Sequence, residues 1–184
     1  MTSLAGRAEA AGFAVVAAST WPQSPADIAP PAVAGFVTSS FSPLAIEVAR
    51  RCLEQRANSM AGTAETEASS TAVIIASSLG DIAGARHVAQ TVDAGTRVGP
   101  LLFFQCVPNA VAGHIAARWG LVGPVICLGD ERSALDAAGL LIEDVDAGAV
   151  LLIRVEQAAT ADEPDRAEAV LLTASAPAHE RSRA

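Results

Sequence analysis

Residues Val98 to Leu128 read VGPLLFFQCVPNAVAGHIAARWGLVGPVICL, and this stretch decides the fold. A Gly99-Pro100 turn leads into the apolar run Leu101–Phe104. Pro108 suits the first turn of a helix, where its missing N–H removes no hydrogen bond. AVAGHIAARW continues with small and apolar residues at helical spacing. Gly120 and the Gly123-Pro124 pair stop that helix. Val125–Leu128 then reads as a short buried strand.

Working outward, 184 residues suggest one domain large enough to bury a real core. The chain is 51% hydrophobic and only 17% charged, and every basic residue is Arg. A net charge of -8 argues against a nucleic-acid partner, which needs a basic face. Arg50, Arg51 and Arg56 form the one dense basic group, and a solvated helix face explains them better than a docking patch for an acidic carrier. The first 19 residues have too short an apolar stretch and too many charges for a secretory signal. No run approaches the roughly 18 apolar residues of a membrane span, so a cytoplasmic location is expected. Cys52, Cys106 and Cys127 are widely spaced in apolar settings and read as buried free thiols. His87 and His114 fall on separate predicted helices and His179 in the tail, so no metal cluster is visible and nothing calls for a cofactor.

From the start, Phe13–Ala18 is a compact apolar run and the first expected strand. Residues 21–31, with four prolines, form a loop barred from a sheet interior. Ser42-Pro43 opens a helix to about Arg56, with Leu44, Val48 and Leu53 as its apolar stripe and Glu47, Arg50, Arg51 and Glu54 facing water. Asn58 to Ser70 reads as a flexible connection. Thr71–Ser77 is uninterrupted and rich in β-branched residues, as expected of a central strand covered on both faces. Asp81 is the expected N-cap of a helix running to about Val92. Beyond Leu128, a helix from Glu131 to about Asp146 precedes the strands AVLLIRVE and EAVLLTAS.

Val107, Pro108, Asn109, Gly113, Ile115, Ala116, Arg118, Gly120, Leu121, Gly123 and Pro124 together resemble, in fixed register, the N-terminal half of the β-ketoacyl-acyl-carrier-protein synthases of the thiolase superfamily. The resemblance and the element order imply an α/β fold with a single thiolase-type half, a mixed five-stranded sheet with helices on its faces. That half spans residues 1–175, and a tail, 176–184, is expected to be disordered. In this family a Cys at the strand-to-helix turn is the nucleophile, its pKa lowered by the helix N-terminus. Here the turn reads Leu128-Gly129-Asp130-Glu131-Arg132-Ser133, and the nucleophile position falls on Glu131 or Arg132, neither of which forms a thioester. Cys127 lies too early, inside the strand, and Ser133 has no base at a recognisable spacing. The family's catalytic His residues belong to a second half that these residues do not match. No catalytic residue is therefore expected, and the reading leans away from an enzyme.

The helix after the turn is sandwiched between two sheets in full ketosynthases. Here Arg132, Asp136, Gly139, Glu143 and Asp146 draw a charged line opposite Ala134, Leu135, Ala138, Leu141, Ile142 and Val145, which predicts a stand-alone half with one side in water. In similar enzymes the segment matching Leu101–Val107 lines the acyl pocket near the dimer partner. Phe103, Phe104, Gln105, Cys106, Val107 and Asn109 are accordingly the acyl-pocket or partner-contact candidates, with ordinary core packing an equal alternative for the two Phe. The unguarded Val125–Leu128 strand is a candidate for edge pairing. The resemblance thus implies a non-catalytic accessory protein of polyketide or fatty-acid-type biosynthesis, resembling a chain-length factor. Its partner is a ketosynthase subunit or itself as a homodimer, with an acyl-carrier protein as a further partner. The competing readings are an acyltransferase or hydrolase with an unrecognised nucleophile, half of a split synthase, and a folded but inactive gene product.

Overall fold

The computed structural model describes residues 2–59, 70–160 and 163–175. The elements run α1 (Leu4–Ala10), β1 (Phe13–Trp21), α2 (Phe41–Ser59), β2 (Thr71–Ala76), α3 (Ile82–Asp93), α4 (Pro100–Gln105), α5 (Pro108–Trp119), β3 (Val125–Leu128), α6 (Glu131–Glu143), β4 (Ala149–Glu156) and β5 (Arg166–Ala174). The five strands form one mixed sheet in the order β1-β5-β4-β2-β3. β2 pairs in parallel with both β3 and β4, and β5 is antiparallel to both β4 and β1. β5 alone therefore runs against the other four.

The sheet is covered on both faces. α2 lies across β1, β5 and β4, and α5 across β2 and β3. Their core takes Phe41, Leu44 and Val48 from α2, Val111 and Ile115 from α5, and Val73, Leu151, Ile153 and Leu171 from the strands. The second face carries α6 over β4, β2 and β3, and α1 over β1 and β5. Here the buried residues are Leu4, Ala8, Ala134 and Ala138 from the helices and Ile74, Val150, Leu152, Val170 and Leu172 from the strands. β2 is buried at all six positions, as the expected central strand requires.

The helix at the centre of the deciding stretch forms as its residues dictate. Pro108 occupies its first turn, and Gly120 ends it in the left-handed conformation at φ 66°, donating its N–H to the Ala116 carbonyl. Gly123 has a different reason. A Cβ there would sit 2.6 Å from Ala72 N and from the Thr71 carbonyl carbon, so only glycine lets the loop pass this close to β2.

Several expectations need correction. α1 was not anticipated. β1 runs on from Ala18 to Trp21, because Ser19–Trp21 still pair with Ala167–Ala169 of β5. Leu101–Phe104 lies within the short helix α4. α6 stops at Glu143 rather than Asp146, and Val145 is 83% exposed at φ 62° instead of joining the apolar side. β3 is half-buried, being an edge strand. Cys52 is buried, whereas Cys106 and Cys127 are half-buried; all three are free thiols.

Glu47 does not face water. It is 5% exposed, because the first half of α2 is buried all round. Its carboxylate accepts from Arg50 Nε at 2.9 Å and Arg51 Nε at 2.7 Å, and Arg51 reaches on to Asp27 at 2.8 Å while stacking over Trp21. Arg50 also pairs with Glu54. These two arginines are thus neutralised by their own chain. Asp136 and Glu143 do lie exposed on the outer side of α6, with Leu135, Leu141 and Ile142 half-buried opposite. Most of the expected flexible connection (60–69), and the tail with His179, lie outside the described residues.

Candidate functional site

β1 to β4 end on the same edge of the sheet, and two side-chain networks gather there, one per face. The alternation of side chains along β4 separates them. Arg154 and Glu156 point with Leu152 to the second face, while Gln157 follows Val155 on the first.

The network on the second face is charged. Glu131, the first residue of α6, accepts a bidentate pair from Arg7 of α1, with Arg7 Nη2 2.6 Å from Glu131 Oε2. Arg154 Nε lies 3.6 Å from Glu131 and 3.5 Å from Glu156, and its Nη1 lies 3.5 Å from Glu168 of β5. Arg7 also reaches Glu168 at 3.6 Å, and the Leu4 N–H donates to Glu168 at 3.1 Å. Glu131 hydrogen-bonding and the nearby carboxylates hold the Arg7 pKa above its ordinary value. The Arg7 and Glu131 side chains are 29% and 18% exposed, so their pairing is partly screened. It falls between about 0–1 kcal/mol at a surface and about 1.5–3 kcal/mol for a shielded charge-assisted bond.

This arrangement bears on the turn at which the sequence resemblance places the family's nucleophile. The free N–H groups of a helix start can stabilise a thiolate. At α6 they already meet a carboxylate, because the Asp130 side chain accepts from the Ser133 N–H at 2.8 Å and the Ser133 hydroxyl at 2.7 Å. Those bonds keep the Asp130 pKa low, which makes it a poor base toward Ser133. Arg132, the other candidate position, is exposed. Cys127 packs on the first face, opposite α6, and burial pushes its thiol up to about 11. Cys52 is pushed up to about 12 by the same cause.

The network on the first face joins the 38–40 loop to α3, α4 and the β4–β5 connection. Asp81 caps α3 through the Gly84 N–H at 2.8 Å and accepts from the Ser39 hydroxyl at 2.5 Å. Gln157 donates to Ser39 and Ser40 at 3.1 and 2.8 Å and accepts from the Ala83 N–H at 3.2 Å. The acyl-pocket candidates border this network. Gln105 accepts from Thr38 at 3.1 Å, and Gln105 and Cys106 line a narrow cleft with Phe36, Ser39 and Asp81. Burial, then the Asp81 charge, raises the Cys106 pKa. Val107 is half-buried ahead of α5, whereas Asn109 is exposed and Phe104 is 65% exposed. The Phe103 side chain lies outside what is described. The candidates therefore split, some lining a cleft and some facing outward.

Residues 28–158 match the model of the beta-ketoacyl synthase N-terminal domain. The chain belongs to that family. A comparison with curated proteins found no match. Among solved structures, the ketosynthase-like chain is similar to one in the complex of the ketosynthase ApeO with its chain length factor ApeC from Xenorhabdus doucetiae, at 16% identity and a TM-score of 0.57, covering 75% of this chain and 58% of that one. It is also similar to the ishigamide ketosynthase/chain length factor, at 18% identity and a TM-score of 0.60, covering 82% and 47%. The ketosynthase of module 1 of the bacillaene synthase from Bacillus amyloliquefaciens aligns at 12% identity and a TM-score of 0.62, covering 90% and 42%. At these identities the likeness is one of fold. The chain spans about half the length of the solved chains it matches.

Sequence reasoning missed Arg7, Arg154, Glu168, Ser39 and Gln157. For Arg154 a signal existed, since the single cation inside AVLLIRVE must find a carboxylate partner. Its partner is the residue opposite, Glu168, in the β4–β5 register. Arg7 had none, being 124 residues from Glu131. Among the described residues no group of three or more His, Cys, Asp or Glu could hold a metal, and no helix is long and apolar enough to cross a membrane.

Proposed function

We propose that this ketosynthase-like chain is a non-catalytic partner protein of polyketide or fatty-acid-type biosynthesis. It pairs with a ketosynthase or with a second copy of itself, and its α4–α5 segment contributes to an acyl pocket. The observation that supports this best is the start of α6. The carboxylate of Glu131 is tied there to Arg7 and Arg154, the helix N-terminus is capped by Asp130, and the nearest thiol, Cys127, is raised by burial on the opposite face. An acyl thioester has no receptor in that setting.

Pairing draws on the two edges of the sheet. β1 is interrupted by a bulge between Val15 and Ala17, a device that blunts an edge. β3 has neither bulge nor charge, and Val125–Leu128 are half-buried. Val122, three residues before it in the chain, is 76% exposed, and on α4 Leu101 and Phe104 are 73% and 65% exposed. Two of the solved relatives are ketosynthases paired with a chain length factor, which favours a partner of that type.

Intact mass measurement after incubation with acyl-CoA or acyl-carrier protein tests the first part, and no adduct is expected. A stoichiometric, hydroxylamine-sensitive adduct on Cys127 or Cys106 overturns it. Sedimentation at high micromolar concentration, alone and with a candidate ketosynthase, tests the pairing. A strict monomer in both cases counts against it.

A further inference from the structure

α1 is seven residues long, too short to persist as an isolated helix, so docking alone holds it in shape. That docking has two parts. The apolar part is small: Leu4 and Ala8 are the buried residues of α1, lying over β1 and β5. The ionic part is the Arg7 pair with Glu131, its longer contact with Glu168, and the Leu4 N–H bond to Glu168. Two open grooves adjoin α1, one at its C-terminal end against α6 and one beside its first turn. One, of about 540 Å³, is bordered by Ala11, Gly12, Phe13, Leu135 and Ile142; the other, of about 230 Å³, by Leu4, Ala5, Ala18 and Val170. Two residues, Ala11 and Gly12, join α1 to β1, and Gly12 stands at φ 96°, where glycine alone moves freely.

We propose that α1 is a strap that opens and closes over the β1–β5 half of the second face, latched by Arg7 on Glu131 and Glu168. Opening turns on the Ala11–Gly12 link and leaves the sheet intact, because the β1–β5 ladder owes none of its pairing to α1. It uncovers the apolar strip of Val15, Val170 and Leu172 and joins the two grooves into one. The latch is ionic and partly exposed, so salt loosens it, as it does the exposed Arg50–Glu54 pair of α2, whereas the uncharged strand β2, buried at all six positions, has no ion pair to screen. The strap does not depend on Glu131 standing at a lost nucleophile position, and it can fail or hold independently of the accessory reading.

Hydrogen–deuterium exchange of the full chain, followed by mass spectrometry, tests it. In Arg7→Gln, the peptide covering residues 2–11 is expected to exchange several-fold to roughly tenfold faster, as loss of a partly screened charge-assisted pair implies, while peptides from β4 and α2 stay at wild-type rates. Glu131→Gln is expected to move the same peptide in the same direction. In the wild type, about 0.5 M NaCl should speed that peptide relative to the uncharged strand β2, and in Arg7→Gln the salt should add little. Unchanged exchange of residues 2–11 in the variants and in salt overturns the proposal. So does a rise that β4 shares in proportion, because α1 then opens only when the whole domain unfolds. The wild-type salt series needs no variant, so the outcome stands even if one substitution prevents folding.

Discussion

The two faces of the sheet are closed in different ways. On the first, α2 and α5 bring large side chains, Phe41, Leu44, Val48 and Ile115, all essentially inaccessible. On the second, α6 brings Ala134 and Ala138, with Leu135, Leu141 and Ile142 only half-buried, and α1 adds Leu4 and Ala8. Apolar burial yields about 25 cal/mol per Å², so the first face carries the larger share of stabilisation. Small residues let α6 approach closely while its outer side, with Asp136 and Glu143, stays in water. Ion pairs through Arg7 and Arg154 then supplement the modest apolar area. The first face is thus closed by large buried side chains, and the second by small ones supplemented with ion pairs.

The sharpest challenge to this contrast is truncation. Leu44→Ala, at full burial on the first face, is expected to cost about 3–5 kcal/mol in urea melts. Leu141→Ala on α6 should cost only about 1–2 kcal/mol, because that side chain is half-exposed. Equal costs would mean that α6 is enclosed by something beyond this chain.

Gly123→Ala comes next, at about 1–3 kcal/mol, since its Cβ meets the β2 backbone and cannot be relieved by a side-chain rotation. A neutral result would show that the loop between α5 and β3 can slide away from β2.

Acid should act on the first face through Glu47. The hydrogen bonds from Arg50, and then from Arg51, hold its pKa below the ordinary value, so its contribution is complete above about pH 5 and fades as pH falls through the carboxylate range. Glu47→Gln is expected to cost about 1 kcal/mol at neutral pH and to flatten the acid limb of the stability profile. An unchanged acid limb would assign that loss of stability to other carboxylates.

The smallest effects belong to the outer side of α6. Asp136→Ala and Glu143→Ala should each move stability by no more than about 0.5 kcal/mol. A cost of about 3–5 kcal/mol would indicate that the charged line is buried and paired in the assembled protein.

What the residues determined by themselves is whatever depends on near neighbours in the chain. Pro108 and Gly120 bound α5, Asp81 and Asp130 cap α3 and α6, and the apolar runs Ala72–Ala76 of β2 and Ala149–Ile153 of β4 require cover on both faces. The motif from Val107 to Pro124 carried the family, and within it Pro108, Gly120 and Gly123 mark backbone conditions that few alternatives satisfy. Tertiary structure decided the rest. α1 escaped notice because seven residues give too little periodicity, with Ser3 as its only local signal, and its shape comes from the sheet beneath it. Glu47 looked like a solvent-facing charge because helical spacing says nothing of a loop, 22–31, folding back to set Asp27 beside Arg51. The Arg7–Glu131 latch joins residues 124 apart in the sequence. Such pairs form only where the packed sheet brings two charges together and shields them from water, and that shielding is a property of the fold as a whole.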